Sequence, residues 1–323
     1  MIGRRALGQR RRAAACVSLV LLGAGCTEAP VRTWVTEEGV RWAELPSAGG
    51  GKPGFTPLEP LRTGVDFVNR LDEEDFLANR HYANGSGVAL ADVDGDDLPD
   101  IYFAGLSGSN ALYRNLGDWR FEDVTERARL AAAGRFSTGC VFADVDGDGD
   151  VDLLLTAMGG TSSVFFNDGT GRFTESVLSE GGGATSMALA DTDGDGDLDL
   201  YVGYYKERTV KDVFPPHEIE FERVVERDGD DFSVVEAWRD HYRIELQGNR
   251  LMRLEIAEPD RFYLNDGAGR FARLRSTFGD FEDWALAVRF QDINGDGNPD
   301  LFVCNDFESP DHMWFGDLSL IHI

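Results

Sequence analysis

Residues 142–155 read FADVDGDGDVDLLL and contain an unusual concentration of acid. Five aspartates lie within nine positions: Asp144, Asp146, Asp148, Asp150 and Asp152. Carboxylates this close repel one another, so a turn that contains them needs a compensating positive charge. Short apolar runs typical of strands lie on both sides. The stretch therefore predicts a tight acidic loop that joins two β-strands.

The acidic stretch occurs four times. The other copies are 90–103 (LADVDGDDLPDIYF), 189–202 (LADTDGDGDLDLYV) and 290–303 (FQDINGDGNPDLFV). The first aspartates of the four copies are Asp92, Asp144, Asp191 and Asp292. The distances between consecutive ones are 52, 47 and 101 residues. The last step is close to two of the others, so the chain repeats with a period near 50 residues. Such a period is typical of repeat architectures.

A second motif, Asn–x–Gly followed by Phe, shares the period. It occurs at 112–121, 165–173 and 263–271. Asn115 and Asn167 each lie 23 residues after the first aspartate of their repeat, whereas Asn265 lies 74 residues after Asp191. The difference predicts an insertion of 51 residues within the third repeat, at about 206–258. We interpret it as a solvated excursion, partly helical, or as a partner-binding flap.

Each repeat contains short apolar runs bounded by Gly, Asp and Asn, and Asn–x–Gly is a hairpin signal. Four strands per period indicate a blade, so the sequence predicts an all-β protein with the architecture of a β-propeller. The predicted blades are 85–130, 137–180, 184–275 and 284–323, of which the last is incomplete.

The acidic loops share the pattern D-x-[DN]-x-D-x-x-x-D. Alternate residues of a tight loop point inward together, and Ca²⁺ takes about six to eight oxygen ligands. We therefore predict up to four calcium sites, with side-chain ligands at positions 1, 3, 5 and 9 and a backbone carbonyl at position 7. The side chains are Asp92, Asp94, Asp96, Asp100, Asp144, Asp146, Asp148, Asp152, Asp191, Asp193, Asp195, Asp199, Asp292, Asn294, Asp296 and Asp300. The carbonyls are those of Leu98, Asp150, Asp197 and Asn298.

Other ions and other loop families fit less well. Mg²⁺ prefers octahedral geometry and keeps its waters, and soft metals need His or Cys, which these loops lack. An EF-hand closes with an acid at position 12 between helices, whereas these loops close at position 9 between predicted strands. Dockerin-like modules are disfavoured for the same reason. Thrombospondin-type calcium repeats need regular cysteines, and RTX repeats need glycine-rich tandems; the sequence has neither. Acidic surface turns without an ion are the remaining alternative.

Two loops depart from the pattern. The first has Asp97 in place of the usual glycine and Pro99 before the closing acid. The fourth has Asn294 and Asn298, so its ligands carry less charge and we expect it to bind calcium more weakly.

These loops resemble the FG-GAP, or VCBS-type, repeats of integrin α-subunit propellers. The layout resembles bacterial relatives of cartilage acidic protein, the FG-GAP/UnbV-type proteins, also at 63–70 (TGVDFVNR), 112–130 and 301–315. The resemblance implies a calcium-binding propeller, commonly seven-bladed, on secreted or surface-bound proteins, with a role in adhesion or recognition and no catalytic activity. We expect the chain to be a fragment of such a ring.

The net charge of −27 disfavours nucleic acid and anionic membrane surfaces as partners and favours cations. The sequence contains no nucleophile motif, P-loop or metal-binding histidine pair. The favoured function is a binding module for a protein or glycan ligand. The alternative is an extracytoplasmic enzyme acting on a polysaccharide or other polymer through an acid outside the loops, such as Glu222 or Glu236. In a third hypothesis calcium serves folding alone and further blades bind the ligand.

The N-terminus resembles an export signal. Five arginines precede the apolar run 13–25, which is too short to cross a bilayer easily. The ending LLGAGC predicts a lipoprotein signal, 1–26, with Cys26 lipidated; ordinary cleavage near Gly25 is the alternative. Residues 27–60 are predicted to be a tether before the blades of 61–323. We therefore expect a cell-envelope lipoprotein, or a secreted protein, with lipid as its only membrane attachment.

Overall fold

The computed structural model describes residues 54–229, 231–274, 283–306 and 309–317, together with the backbone of 35–37 and 40–42. The chain divides into two units, Met1–Pro57 and Leu58–Ile323. In the first unit β1 (Val35–Glu37) pairs antiparallel with β2 (Val40–Trp42). The predicted signal, with Cys26, and most of the predicted tether lie outside the described residues.

The second unit begins with short helical segments before its first sheet. They are α1 (Pro60–Thr63), α2 (Glu73–Ala78) and a 3₁₀ turn (Arg80–Asn84). No helix among the described residues is long and apolar enough to cross a membrane.

Two four-stranded antiparallel sheets follow, with their strands in sequence order. The first contains β3 (Val88–Ala91), β4 (Asp100–Phe103), β5 (Ala111–Asn115) and β6 (Phe121–Asp123). After the short α3 (Thr125–Ala128), the second contains β7 (Ser137–Ala143), β8 (Asp152–Ala157), β9 (Thr161–Asn167) and β10 (Phe173–Glu180). Each is the up-and-down meander expected of a propeller blade.

The third sheet has the order β11-β12-β17-β18 because the insertion lies between its second and third strands. Its strands are β11 (Ala184–Ala190), β12 (Asp199–Tyr204), β17 (Arg261–Asn265) and β18 (Phe271–Leu274). The insertion contains α4 (Val210–Val213), α5 (Phe221–Val224), β13 (Val225–Asp228), β14 (Asp231–Val234), β15 (Tyr242–Gln247) and β16 (Arg250–Glu255). It is therefore mainly two hairpins, with one helical turn in each of α4 and α5.

The fourth sheet has three strands in the described residues. They are β19 (Ala285–Gln291), β20 (Asp300–Asn305) and β21 (His312–Trp314). The first strands of consecutive sheets are neighbours, since β3 contacts β7, β7 contacts β11 and β11 contacts β19. This arrangement confirms an all-β, propeller-like fragment, and the described sheets do not close into a ring.

The core consists of layers between consecutive blades. Strand β8 is buried at all six positions because it faces a blade on each side. Leu153 and Leu155 pack against the first blade, while Leu154 packs against the third. In β12, Leu200 faces the second blade and Tyr201 faces the fourth. Burying each such leucine stabilises the fold by about 2 kcal/mol, so neighbouring blades hold one another together.

Candidate metal centres in the acidic loops

Each acidic loop joins the first two strands of its blade and winds around the carboxylate of its first aspartate. In the second loop the Gly147 N–H donates to Asp144 Oδ1 over 2.8 Å, and the Gly149 N–H donates to Asp144 Oδ2 over 3.0 Å. Equivalent pairs of contacts occur around Asp92, Asp191 and Asp292. The first aspartate therefore fixes the shape of the turn.

The sixth position of each loop lies in the left-handed region, where glycine is favoured. It is Gly149 at φ 95°, Gly196 at φ 97° and Gly297 at φ 91°. In the first loop Asp97 has φ 66°, and its N–H still donates to Asp92 over 2.7 Å. An aspartate tolerates this conformation better than most residues, so the first loop keeps the shape of the others.

The closing aspartate of each loop is buried and joins the loop to the hairpin strand. Asp152 Oδ2 accepts from the Val145 N–H over 3.2 Å, and its Oδ1 accepts from the Asn167 N–H over 2.9 Å. Asp100, Asp199 and Asp300 make the same pair of contacts. In the fourth blade Gly316 is the donor at the hairpin position, where the sequence lacks the usual asparagine.

Three loops each bring three carboxylates together, with one oxygen of each within 4.8 Å of the others. The groups are Asp92, Asp94 and Asp96; Asp144, Asp146 and Asp152; and Asp191, Asp193 and Asp195. Each contains three of the four predicted acidic ligands, and the second includes the closing aspartate in place of Asp148. The fourth loop has Asn294 at position 3 and forms no such group of acids among the described residues.

Burial raises the pKa of aspartates in the first three loops, whereas in the fourth loop burial is outweighed by backbone hydrogen bonds, which lower the pKa of Asp300. Burial, together with the nearby Asp148 and Asp144, raises the pKa of Asp146. Burial also raises the pKa of Asp152 to about 6, although two backbone hydrogen bonds oppose the shift. Burial raises the pKa of Asp100 and Asp199 in the same way. A bound cation would offset this repulsion, and a set of carboxylate oxygens suits a hard ion such as Ca²⁺.

The first loop holds a positive charge supplied by the chain itself. Arg114, on β5, places its Nε 2.5 Å from Asp94 Oδ2 and its Nη2 3.0 Å from Asp96 Oδ2. The equivalent positions, one before the hairpin residue, are Phe166, Leu264 and Phe315. The guanidinium is therefore particular to this loop, and the sequence pattern of the loops alone gave no sign of it.

The hairpin asparagines connect neighbouring blades, a role that the sequence analysis missed. The Asn265 side-chain amide donates to the carbonyl of Val145 over 2.8 Å and to that of Leu198, in its own blade, over 3.3 Å. Asn167 makes the same pair of contacts to the loop of the first blade and to its own. The available signal was the spacing of 23 residues from the first aspartate of the loop to Asn167, which Asn265 shares once the insertion is left out.

The backbone carbonyls predicted as ligands lie in the same turns, two residues before the closing aspartate. They are those of Leu98, Asp150, Asp197 and Asn298. Their role as ligands stays a prediction.

The two cysteines of the blades are Cys140, on β7, and Cys304, on β20, and both are half-buried free thiols.

The repeats match a known family model. The FG-GAP-like repeat model matches residues 92–155, 144–202 and 253–303, which together make up half of the chain. The first two matched segments each contain two consecutive acidic loops. The third contains the Asn–x–Gly hairpin at 263–271 and the fourth loop. The chain belongs to the FG-GAP-like repeat family. Proteins of this family are mostly non-enzymatic binding modules, typically extracellular or associated with the envelope.

Individual relatives are more distant. Cartilage acidic protein 1 of Xenopus tropicalis is 26% identical over 110 residues, 34% of this chain and 17% of that protein. The V. cholerae biofilm matrix protein Bap1 has 16% identity and a TM-score of 0.28, with 67% of this chain and 34% of Bap1 covered. Chaetomium thermophilum Raptor has 10% identity and a TM-score of 0.27, with 77% of this chain and 23% of Raptor covered. The chain thus spans about a sixth of its curated relative.

Proposed function

We propose that this FG-GAP-repeat chain is an exported, calcium-binding recognition module. The observation that carries the proposal is the convergence of three carboxylates within 4.8 Å in each of three loops. Each set is presented by a turn whose backbone donors already fix its first aspartate. Acidic groups without a cation would repel one another at this distance, so their convergence in the second and third loops, which lack the Arg114 guanidinium of the first, supports a bound ion.

Calcium would hold these turns closed at one end of the blades. Carboxylates at positions 1, 3, 5 and 9 and the carbonyl at position 7 supply the oxygen ligands that Ca²⁺ prefers. Because Asp152 and its counterparts also accept hydrogen bonds from the hairpin strand, an ion at the loop would stiffen the blade as a whole. The fourth loop, with two asparagines, would bind it least tightly.

Thermal unfolding of residues 27–323 during a calcium titration tests the proposal. Binding to the folded state alone should raise the melting temperature steadily as calcium rises, by mass action. Magnesium at the same concentrations is the matched control and should raise it much less. A cooperative melt that calcium does not shift would contradict the proposal.

Recognition of a protein or glycan is the role we propose for the module. Family membership and the net charge of −27 support it, since the charge disfavours nucleic acid and anionic lipid as partners. The alternative, an enzyme acting on a polysaccharide or another polymer, has less support, because Glu222 and Glu236 are exposed residues of the insertion.

We further propose that the module is anchored to the cell envelope through lipid on Cys26. The support is the sequence of 1–26, an arginine-rich start, a short apolar run and a small-small-Cys ending. Cys26→Ser should move the protein from the membrane fraction to the soluble fraction, while Cys140→Ser should leave it in place. Membrane association that survives Cys26→Ser would rule out this anchor.

A further inference from the structure

A cavity lies at the end of the blades opposite the acidic loops. Its lining includes Tyr205, which follows β12, and Trp284, which precedes β19. Both strands have their other end at an acidic loop, at Asp199 and Asp292. The cavity measures about 240 Å³ and is bounded by the 3₁₀ turn, the insertion and the fourth blade. It is therefore separate from the proposed calcium sites.

Three aromatic rings form one wall of this cavity. The ring centroids of His81 and Tyr205 are 4.7 Å apart, as are those of Tyr205 and Trp284. Tyr205 and Trp284 are almost completely buried, so their positions are fixed by packing. Ring faces held in this way attract a cationic nitrogen, and the rings also pack against apolar atoms.

Asp212 gives the cavity a carboxylate with one oxygen to spare. Its side chain is only 4% exposed. Oδ2 accepts hydrogen bonds from the Thr209 N–H over 3.0 Å and from the Thr209 hydroxyl over 2.7 Å. Oδ1 has no hydrogen-bond partner among the described residues. Because Asp212 lines the cavity and a carboxylate oxygen accepts hydrogen bonds, this oxygen is available to a donor from a ligand.

The neighbours of Asp212 do not supply that donor. His81 Nε2 lies 3.9 Å from Asp212 Oδ2, outside hydrogen-bond distance. Burial lowers the pKa of His81, although the nearby carboxylates of Asp212 and Glu255 oppose the shift. Lys206 is bonded to Glu255 Oε1 at 3.0 Å and to the carbonyl of Ile256 at 2.6 Å. The inner part of the cavity is thus acidic and aromatic.

The outer part is basic. Arg80 and Lys211 also line the cavity, and both are exposed, so they mark its open side. An ammonium group inside and an anionic group outside would complement both ends at once, because each end of the ligand would face the opposite charge.

We propose that the cavity binds a small zwitterion, such as a free amino acid, with its ammonium group on Asp212 and the aromatic rings and its carboxylate toward Arg80 and Lys211. This inference deepens the proposed recognition role and rests on it. The cavity has room for a ligand of that size rather than for a folded partner.

Calorimetry on residues 27–323 in saturating calcium tests the inference. The probes are glycine, leucine and phenylalanine, each with its methyl ester and its N-acetyl form. We expect at least one free amino acid to bind, its ester to bind roughly tenfold more weakly, and its N-acetyl form not to bind. Asp212→Asn should weaken binding at least roughly tenfold, and Lys211→Ala should weaken the free acid but not the ester. Asp240→Asn, an exposed acid of the insertion, is the matched control and should change nothing.

Three outcomes would overturn the inference. The first is that none of the three free amino acids binds, and the second is that the free and N-acetyl forms bind equally well. The third is that a neutral hexose such as glucose binds and that Asp212→Asn abolishes its binding. Calcium-dependent melting is measured on the same samples. If melting responds to calcium while no amino acid binds, the cavity inference fails alone; if melting does not respond, the proposed function fails as well.

Discussion

The side-chain amide of Asn167 donates a hydrogen bond of 2.9 Å to the carbonyl of Val93, in the acidic loop of the preceding blade. Asn265 repeats the contact with Val145 one blade later. Both asparagines are buried, and the backbone N–H of each also binds the closing aspartate of its own loop. Each hairpin therefore joins two acidic loops, and the order of one loop affects the packing of the next blade.

Asn167→Ala should destabilise the fold by about 1–3 kcal/mol, because it leaves the carbonyls of Val93 and Val151 without their donor in a buried place. In a domain of this size that corresponds to a fall of roughly 2–4 °C in melting temperature per kcal/mol. Thermal unfolding in saturating calcium measures it. Asn115→Ala is the matched control, since among the described residues the Asn115 side-chain amide donates only to the carbonyl of Pro99, in its own blade. Equal losses in the two variants would show that the contact between blades contributes nothing.

Asp146→Ala should remove one calcium site. Asp146 is one of the three converging acids of the second loop, and its only backbone contact among the described residues is a long one, from the Asp148 N–H over 3.3 Å. The turn is held mainly by Asp144 and Asp152, so the loop should keep its shape. We expect the stoichiometry measured by calorimetry to fall by one, or the affinity of one site to fall at least about tenfold, which is about 1.4 kcal/mol. Asp168→Asn, an exposed acid of the neighbouring hairpin, should leave the titration unchanged. An unaltered titration of the Asp146 variant would remove this loop from the set of calcium sites.

Much of the fold follows from local patterns and spacing. The blades could be predicted because strands, acidic turns and Asn–x–Gly hairpins are encoded within a few residues and recur at a fixed distance. The insertion was located by that distance, but its hairpins were missed. The turn at Gly229, in the stretch ERDGDDFS, and the turn at Gly248 carried the signal, and both have the left-handed φ that favours glycine.

The features that needed tertiary structure were beyond the sequence. Arg114 reaches the first loop because β5 runs beside β4, and nothing in the spacing distinguishes it from any other surface arginine. The cavity at Asp212 and Trp284 combines residues from the 3₁₀ turn, the insertion and the fourth blade. Their proximity depends on how the insertion folds back, which no short-range pattern specifies.

Arg114→Gln should strengthen calcium binding by the first loop. The guanidinium contacts Asp94 and Asp96, so it occupies oxygen atoms that an ion would need and partly neutralises them. We expect either one additional site in calorimetry or a several-fold gain in the affinity of one site. Arg120→Gln removes the same charge from an exposed position of the same blade and should have little effect. A loss of calcium binding in the Arg114 variant would mean that the arginine supports the ion instead of competing with it.

The pH dependence of stability should include a contribution from Asp260. Its carboxylate accepts hydrogen bonds from Tyr201 Oη over 2.7 Å and from the Tyr204 N–H over 2.6 Å, and burial raises its pKa to about 7. Between about pH 4 and pH 7 the folded chain keeps a proton that the unfolded chain has lost. Stability should therefore fall as pH rises through this window, by at most about 1.4 kcal/mol per pH unit, and level off above pH 7.

Asp260→Asn isolates that contribution, because the amide carries no titrating proton. The difference in unfolding free energy between Asp260→Asn and the unmodified chain, measured by urea at constant calcium, should shift in favour of the variant from pH 4 to pH 7. Calcium loops and all other groups titrate in both proteins, so their effects cancel. Asp240→Asn, in the exposed part of the insertion, should give a difference that is flat across the same range. A flat difference for Asp260→Asn too would mean that Asp260 is ionised in the folded chain and that its environment does not resist the charge.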